Sequence, residues 1–361
     1  MQFLTDWVGG RIYKDNQPGS PGAEALEKYR IEKLNGVLRE AQYKSRFYQE
    51  KLLGVDRCEI GVAANIDETE LADKIFQIET LDEFSELPFT TGEELVNFGY
   101  KMLCIKPEES SRITTGKSKG RKGQIRNVAF SFHDQREISE YIKGMLKDYV
   151  HADDVALILL PCRRPGSIGD IYREALEHLA VHCVPYGPLD DDRLDWSVYL
   201  DLLKLENVSV IIGEPSQIAN LAELAKARAE DRRFADELSE INGRIRLLFL
   251  QHENFSKREI ESEFPVWNCD VIRNYGNLES GYRIAAHFDS SETKAHLYEI
   301  CDSDIYLEIV NAETGLPLGE GERGEIVITT LTRGCMPLIR YKTGDKGMII
   351  RKSDDRVYLS S

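Results

Sequence analysis

The sequence predicts an α/β fold of mostly parallel sheets covered by helices, with an antiparallel β subdomain packed on that α/β body. Three observations carry this. Between residues 128 and 275, short apolar runs rich in β-branched residues alternate with helical stretches, the rhythm of crossover units around a parallel sheet. After Gly276 the apolar runs crowd together and Gly/Pro turns separate them, which favours antiparallel pairing. The chain is also long enough for a sizeable core: 361 residues, 42 % hydrophobic and 30 % charged, an ordinary globular composition.

In chain order, residues 23–53 place Leu26, Tyr29, Ile31, Leu34, Val37 and Leu38 at helical spacing, predicting one or two amphipathic helices. Thr91 and Glu94 form a capping-box pattern that starts another helix. Residues 111–127 read as a basic, glycine-bearing loop leading into a strand at 128–132. The alternation continues with helices over 135–149, 169–180, 194–205 and 217–229. Between them lie strands at 155–160, 181–185, 208–213, 245–250 and 271–275. Two further strands, 305–310 and 325–330, flank a Thr314-Gly315-Leu316-Pro317 turn. The expected organisation is a helical N-terminal part over 1–100, an α/β body over 101–290 and a β-rich subdomain over 291–361.

Charge and cysteine usage narrow the function classes. With 46 Lys and Arg against 62 Asp and Glu, the formal charge of −16 argues against a general nucleic-acid binder or a basic membrane-surface protein. No apolar run approaches the roughly 20 residues of a bilayer span, and the first residues lack a secretory pattern. Seven scattered cysteines without a CxxC pair predict reduced thiols and a cytoplasmic setting. His151, His252 and His287 are solitary and read as surface or core residues rather than ligands.

Three segments could carry chemistry. Arg112 to Gly123 packs glycines, hydroxyls and cations into twelve residues: amides beside glycines approach oxygens, hydroxyls donate, and Lys117 or Arg121 neutralises charge. That is a polyphosphate cradle, or equally a solvated basic loop. Tyr275-Gly276-Asn277-Leu278-Glu279-Ser280-Gly281 follows a predicted strand, where an aromatic ring and a carboxylate face a ligand crevice. A carboxylate beside phosphates suits Mg²⁺, although the segment also reads as a plain connecting turn. Thr343-Gly344-Asp345 can offer a carboxylate to a vicinal diol such as a ribose, or be a β-turn bonded to itself.

In this order and at these intervals, the segments resemble the adenylate-forming superfamily, most closely its phenylacetate–CoA ligase branch. Leu87-Pro88-Phe89-Thr90-Thr91 is similar to the branch's "LPFTT", and Ser45-Arg46-Phe47-Tyr48 to its "PFYR" region. The stretch 316–325 looks like its "G.PLP.GE.GE", and Met336-Pro337-Leu338-Ile339-Arg340-Tyr341-Lys342-Thr343-Gly344-Asp345 nearly reproduces "MPLIRYRTGD". The resemblance implies that a carboxylic acid attacks ATP to give an acyl-adenylate, and that coenzyme A then displaces AMP. It implies that Thr114, Thr115, Gly116, Ser118 and Gly120 grip phosphates with Lys117 and Arg121. It gives Tyr275, beside Gly276, a place against the adenine, Glu279 the Mg²⁺, and Asp345 the ribose, with Arg356 joining the nucleotide set. The acid would sit among 161–169, 213–216 and 275–282, with Tyr282 in its lining.

The sequence also departs from the branch. Gly116 and Gly120 are four apart where the family's phosphate-loop glycines are three apart. Gln251-His252-Glu253 stands where a small residue precedes the adenine, and Leu278 replaces a hydroxyl residue before Glu279. Sixteen residues follow Asp345, whereas family members continue into a small domain carrying a catalytic Lys. The expected arrangements are therefore a fragment of a longer ligase, a ligase whose lid comes from a partner protein or a second copy, or a protein that has lost activity and acts as a non-catalytic nucleotide- or acyl-binding module with a protein partner.

Overall fold

The computed structural model describes residues 2–12, 22–54, 73–105, 113–119, 125–187, 197–230, 232–252, 269–287, 297–351 and 357–360. Helices α1 (Gln2–Ile12), α2 (Ala23–Lys44), α3 (Arg46–Leu53), α4 (Leu81–Ser85) and α5 (Gly92–Phe98) precede a hairpin of β1 (Ile113–Lys119) and β2 (Ile125–Ser131). Next come α6 (Phe132–Leu146), β3 (Val155–Ile158), α7 (Ile168–His178), β4 (His182–Pro185), α8 (Ser197–Leu205) and β5 (Val210–Gly213). The body continues through α9 (Pro215–Ala229), α10 (Arg232–Arg244), β6 (Leu247–His252) and β7 (Asp270–Tyr275). Strands β8 (Ala285–His287), β9 (Leu297–Ile300), β10 (Ile305–Val310), β11 (Gly324–Thr330), β12 (Tyr341–Arg351) and β13 (Val357–Ser360) follow.

Strands β4, β3, β5, β6 and β7 lie side by side and parallel. Their residues alternate between two cores, as a two-residue side-chain period requires. Ala156, Ile158, Val210, Ile212, Leu247 and Phe249 share one core with Ile138 and Ile142 of α6 and Ile171 and Leu176 of α7. Leu157, Leu159, Ile211, Leu248 and Leu250 face the other way, onto α8, α9 and α10. Helices on both faces are what a parallel sheet needs, because each face is apolar.

The antiparallel part is a continuation of this sheet rather than a layer packed on it. The turn after Tyr275 returns β8 along β7, pairing Tyr275 with Ala285, and β9, β13, β12, β11 and β10 extend the order. The expected loop over 111–127 is also corrected. Residues 113–119 are strand, paired from Ile113↔Ser131 to Lys119↔Ile125, because β-branched Ile113, Thr114 and Thr115 favour a pleated ladder.

The N-terminal helices are bonded into the sheet. Tyr48 Oη accepts from the Ile339 N–H at 3.0 Å and donates to the Pro337 carbonyl at 3.2 Å. Thr90 Oγ1 donates to the Ile339 carbonyl at 2.7 Å. Arg340 completes the junction. Its guanidinium makes a forked pair with Glu308, Nη2–Oε1 2.9 Å and Nε–Oε2 3.1 Å, and donates from Nη1 to the carbonyls of Ser85 and Leu87. The Arg340 guanidinium also lies 4.2 Å over the Phe89 ring. A second buried hub is Asp304, which receives Trp7 Nε1 and Arg283 Nη1 at 2.7 Å each, Ser303 Oγ at 2.8 Å and Thr332 Oγ1 at 2.9 Å. Burial alone would raise its pKa, but the guanidiniums of Arg283 and Arg11 outweigh that and bring it down to about 2. Among the described residues, no helix is long and apolar enough to cross a membrane.

Two outcomes test this frame. Arg340→Ala strands the Glu308 carboxylate and is expected to cost about 3–5 kcal/mol in urea unfolding; a loss below about 1 kcal/mol contradicts a buried role. Asp304 has a folded pKa below its unfolded one, so its stabilisation is complete above about pH 4 and fades as pH falls towards 2. Stability measured against pH in that window is expected to lose this dependence in Asp304→Asn, and an unchanged acid limb contradicts the assignment.

Candidate active site

The parallel strands end along one edge, where open α/β sheets bind ligands. At that edge Gln251, closing β6, is buried and fully engaged. Its Oε1 accepts from Tyr172 Oη at 2.8 Å and Asn274 Nδ2 at 2.9 Å, and its Nε2 donates to the Gly276 carbonyl at 3.0 Å. The bulk noted in the sequence at this position thus ties the ends of β6 and β7 together. Gly276 must lack a side chain, since a Cβ there would lie 2.4 Å from the Tyr282 carbonyl carbon. The chain then folds into a tight turn in which Ser280 N donates to Asn277 Oδ1 at 2.9 Å and Asn277 N to Ser280 Oγ at 3.1 Å. That turn carries Glu279 inward, leaving it 1 % exposed.

Asp345 arrives from the other side. It lies inside β12 rather than in a turn ending a strand: the ladder with β11 shifts register between Glu325 and Val327. Gly344 adopts φ +81°, a left-handed conformation that glycine accepts without strain. Thr343 Oγ1 bonds the Ile326 carbonyl at 2.9 Å and accepts from Asp345 N at 3.1 Å. Such irregularities re-aim a side chain, and here Asp345 Oδ2 accepts from Tyr275 Oη at 2.9 Å. The Tyr275 ring is fully buried within the core, so in this conformation it holds Asp345 and presents no open face for stacking.

Glu279 Oε1 receives Arg126 Nη1 at 2.7 Å, and the same nitrogen donates to Tyr341 Oη at 2.7 Å. Tyr341 Oη lies 3.5 Å from Glu279 Oε1. Burial, then Glu279 beside it, holds the Tyr341 phenol above its ordinary pKa, so it remains neutral. Burial opposes the Arg126 charge, but Tyr341, Glu279 and Asp345 together raise its pKa above the usual arginine value. Beneath the turn, Arg333 Nη1 donates to the Glu279 backbone carbonyl at 2.7 Å. Arg333 is held at about 10 by burial, so it too stays charged at neutral pH.

The three segments are therefore brought together to different degrees. Tyr275 bonds Asp345, Gln251 bonds the Gly276 carbonyl, and Glu279, three residues on in the same turn, bonds Arg126. Ser118 in β1 is the register partner of Arg126, so the hairpin delivers the first segment's end to Glu279. Thr115 lies three residues, roughly 10 Å, further up β1, and Thr114 and Gly116 are likewise strand residues. With β1 ending at Lys119 and β2 starting at Ile125, the glycines at the β1–β2 connection are Gly120 and Gly123, three apart. The side chains of Thr114, Thr115, Lys117 and Ser118, and residues Gly120, Arg121 and Arg356, lie outside what is described, as does the His252 side chain. Near the stretch expected to bind the acid, a groove of about 340 Å³ is lined by Phe132, Gln135, Pro165, Gly166 and Ile171 among others.

Sequence reading missed Arg126 and Arg333, and marked Gln251 only for its bulk. Arg126, Val128 and Phe130 alternate on one face of β2, and the burial of the latter two signals that the arginine faces inward. For Gln251 and Arg333 no local pattern exists.

No family model matches the chain. The chain is 50 % identical over 276 residues to the phenylacetate-coenzyme A ligase of Escherichia coli strain K12, covering 73 % of this chain and 57 % of that protein. The phenylacetate-coenzyme A ligase of Pseudomonas putida is 22 % identical over 334 residues, covering 89 % and 66 % respectively. The chain thus spans less than two thirds of either relative's length. A solved 2-hydroxyisobutyryl-CoA ligase in an open conformation, in complex with 2-HIB-AMP and CoA, shares the fold: TM-score 0.70 over 94 % of this chain and 68 % of that one, at 17 % identity.

The Tyr275–Asp345 bond makes one expectation local. Tyr275→Phe keeps the ring and removes the donor, and thermal unfolding is expected to show a loss of about 0.5–1.5 kcal/mol. A fully stable variant contradicts the bond.

Proposed function

The chain belongs to the adenylate-forming superfamily, on its phenylacetate–CoA ligase-like branch, and from that premise we propose that it activates a carboxylic acid with ATP. The acid's carboxylate attacks the α-phosphorus, pyrophosphate leaves, and the acyl-adenylate is then open to the thiol of coenzyme A. The observation that supports this most is the buried Glu279 paired with the Arg126 guanidinium, with Asp345, from a separate stretch of chain, held by Tyr275 of the same β7 turn.

Each residue has a role that its setting supports. Asp345 is acceptor-only when ionised, and its two oxygens suit the vicinal hydroxyls of a ribose. Tyr275 positions that carboxylate. Ser118, Gly120 and Arg121, at and beside the β1–β2 connection, meet the phosphates, with Lys117 one residue before Ser118; Thr114, Thr115 and Gly116 stand further up the strand. Arg356 remains a sequence-based member of the nucleotide set. Pre-organised donors and acceptors of this kind act by positioning and by electrostatic stabilisation of the phosphorus transition state.

The donor set also bears on Mg²⁺. Among the described residues no three His, Cys, Asp or Glu side chains gather to hold a metal unaided. One buried carboxylate, Glu279, fits an ion that takes one or two protein oxygens and completes its shell with phosphates and water. When bound, the ion would neutralise phosphate charge. The acid's identity and the use of coenzyme A as acceptor rest on the relatives, and the crevice over 161–169, 213–216 and 275–282 is where the acid fits this reading.

Calorimetry with ATP and Mg²⁺, paired with acid-dependent exchange of labelled pyrophosphate into ATP across aryl and short acyl acids, tests the proposal. Binding is expected, weakened at least about tenfold by Asp345→Ala, a change of about 1.4 kcal/mol. Exchange is expected to fall about a hundredfold or more in Glu279→Gln. Absence of both binding and exchange overturns the reading, whereas binding without exchange for any acid favours a nucleotide-binding module.

A further inference from the structure

The pairing of Arg126 with Glu279 has a consequence for how nucleotide and metal gain the site. We propose that Arg126 is an exchangeable latch: it closes on Glu279 when the site holds no nucleotide and moves to a phosphate oxygen when a nucleoside triphosphate arrives. This rests on the nucleotide reading above.

Glu279 is a buried carboxylate, and a buried charge demands a partner. Arg126 is that partner in this structure, but it spends a single nitrogen, Nη1, on both Glu279 and Tyr341. Its remaining donors have no hydrogen bond among the described residues, and its side chain is 17 % exposed, so it is reachable. A guanidinium with spare donors in a planar fork is the side chain best matched to phosphate. Its place agrees: Ser118 lies opposite it in the hairpin, and a Cβ at Gly92 would sit 3.0 Å from its Cζ and Nη2, so the backbone leaves room only for the guanidinium.

The two cations compete. Arg126 and a divalent ion cannot both bond Glu279 Oε1 without close like-charge repulsion. The closed latch therefore disfavours metal binding to the empty site. Phosphates, by drawing Arg126 away, free the carboxylate, which couples metal affinity to the presence of phosphate. Tyr341 stays beside Glu279 and keeps one neutral donor there.

Binding measurements on Arg126→Gln test this, with Mn²⁺ followed by electron paramagnetic resonance as the metal probe and adenosine as the phosphate-free ligand. In the absence of nucleotide, the variant is expected to bind Mn²⁺ at least about tenfold more tightly than the unaltered chain, because Glu279 is released. Its affinity for ATP with Mg²⁺ is expected to fall about 10–100-fold while that for adenosine changes less than about twofold. Arg126→Lys keeps the charge and the fold without the fork. It is expected to restore exclusion of Mn²⁺ and to recover part of the ATP affinity. Unchanged Mn²⁺ binding, or equal losses for adenosine and ATP, overturns the latch. If the unaltered chain binds neither adenosine nor ATP, the nucleotide reading itself fails; if it binds both and Arg126→Gln binds ATP equally well, only the latch fails.

Discussion

The buried fork between Arg340 and Glu308 is the constraint on which the rest of the site depends. Glu308 sits mid-strand in β10, with its carboxyl raised by burial and pulled back by the arginine. The guanidinium satisfies that carboxylate and two carbonyls of the 85–87 segment at once, so it joins β10 to the segment carrying Thr90 and Thr91. Arg340 itself takes φ +46°, an uncommon backbone for a bulky residue, which the surrounding bonds over-determine. From that turn the chain enters β12. The next residue is Tyr341, beside Glu279, and four further on is Asp345, against Tyr275. A motif that reads as a ligand-binding signature is thus, at Arg340, a structural pin, with Asp345 displaced along the strand.

The site built on that pin holds more charge than it exposes. Glu279, Arg126 and Arg333 meet at the carboxyl edge of the sheet, where Asn274 Nδ2 donates to Gln251 Oε1 and Gln251 Nε2 donates to the Gly276 carbonyl. Low local dielectric strengthens every one of these contacts and makes each unpaired group costly. Arg333 shows the cost directly, with Nε and Nη2 buried and without a hydrogen-bond partner among the described residues and its guanidinium held at about 10.

Much of this was legible in the sequence, for physical reasons that also mark the limits. The parallel strands announced themselves because burial on both faces demands unbroken apolar runs, as in Val210-Ile211-Ile212. Strand β12 did not, because Lys342, Thr343, Gly344, Asp345, Lys346 and Gly347 carry no apolar alternation and this stretch is held in the sheet by β11. Helix α10 escaped for a related reason, its sequence being dominated by charge. The carboxylates Glu279 and Asp345 were readable from short motifs. Arg126 was not, because a cation inside a basic stretch resembles a solvated one until its strand partner and burial are known. The strand setting of Gly116, opposite Val128, is likewise something only the pairing reveals.

The most direct measurement is a crystal structure of the chain grown with a non-hydrolysable ATP analogue and Mg²⁺. The account expects the ribose on Asp345, the phosphates between the β1–β2 hairpin and Arg126, and Glu279 turned from Arg126 towards the metal. A nucleotide bound elsewhere on the chain, or this neighbourhood empty at saturating ligand with the Arg126–Glu279 contact intact, contradicts it.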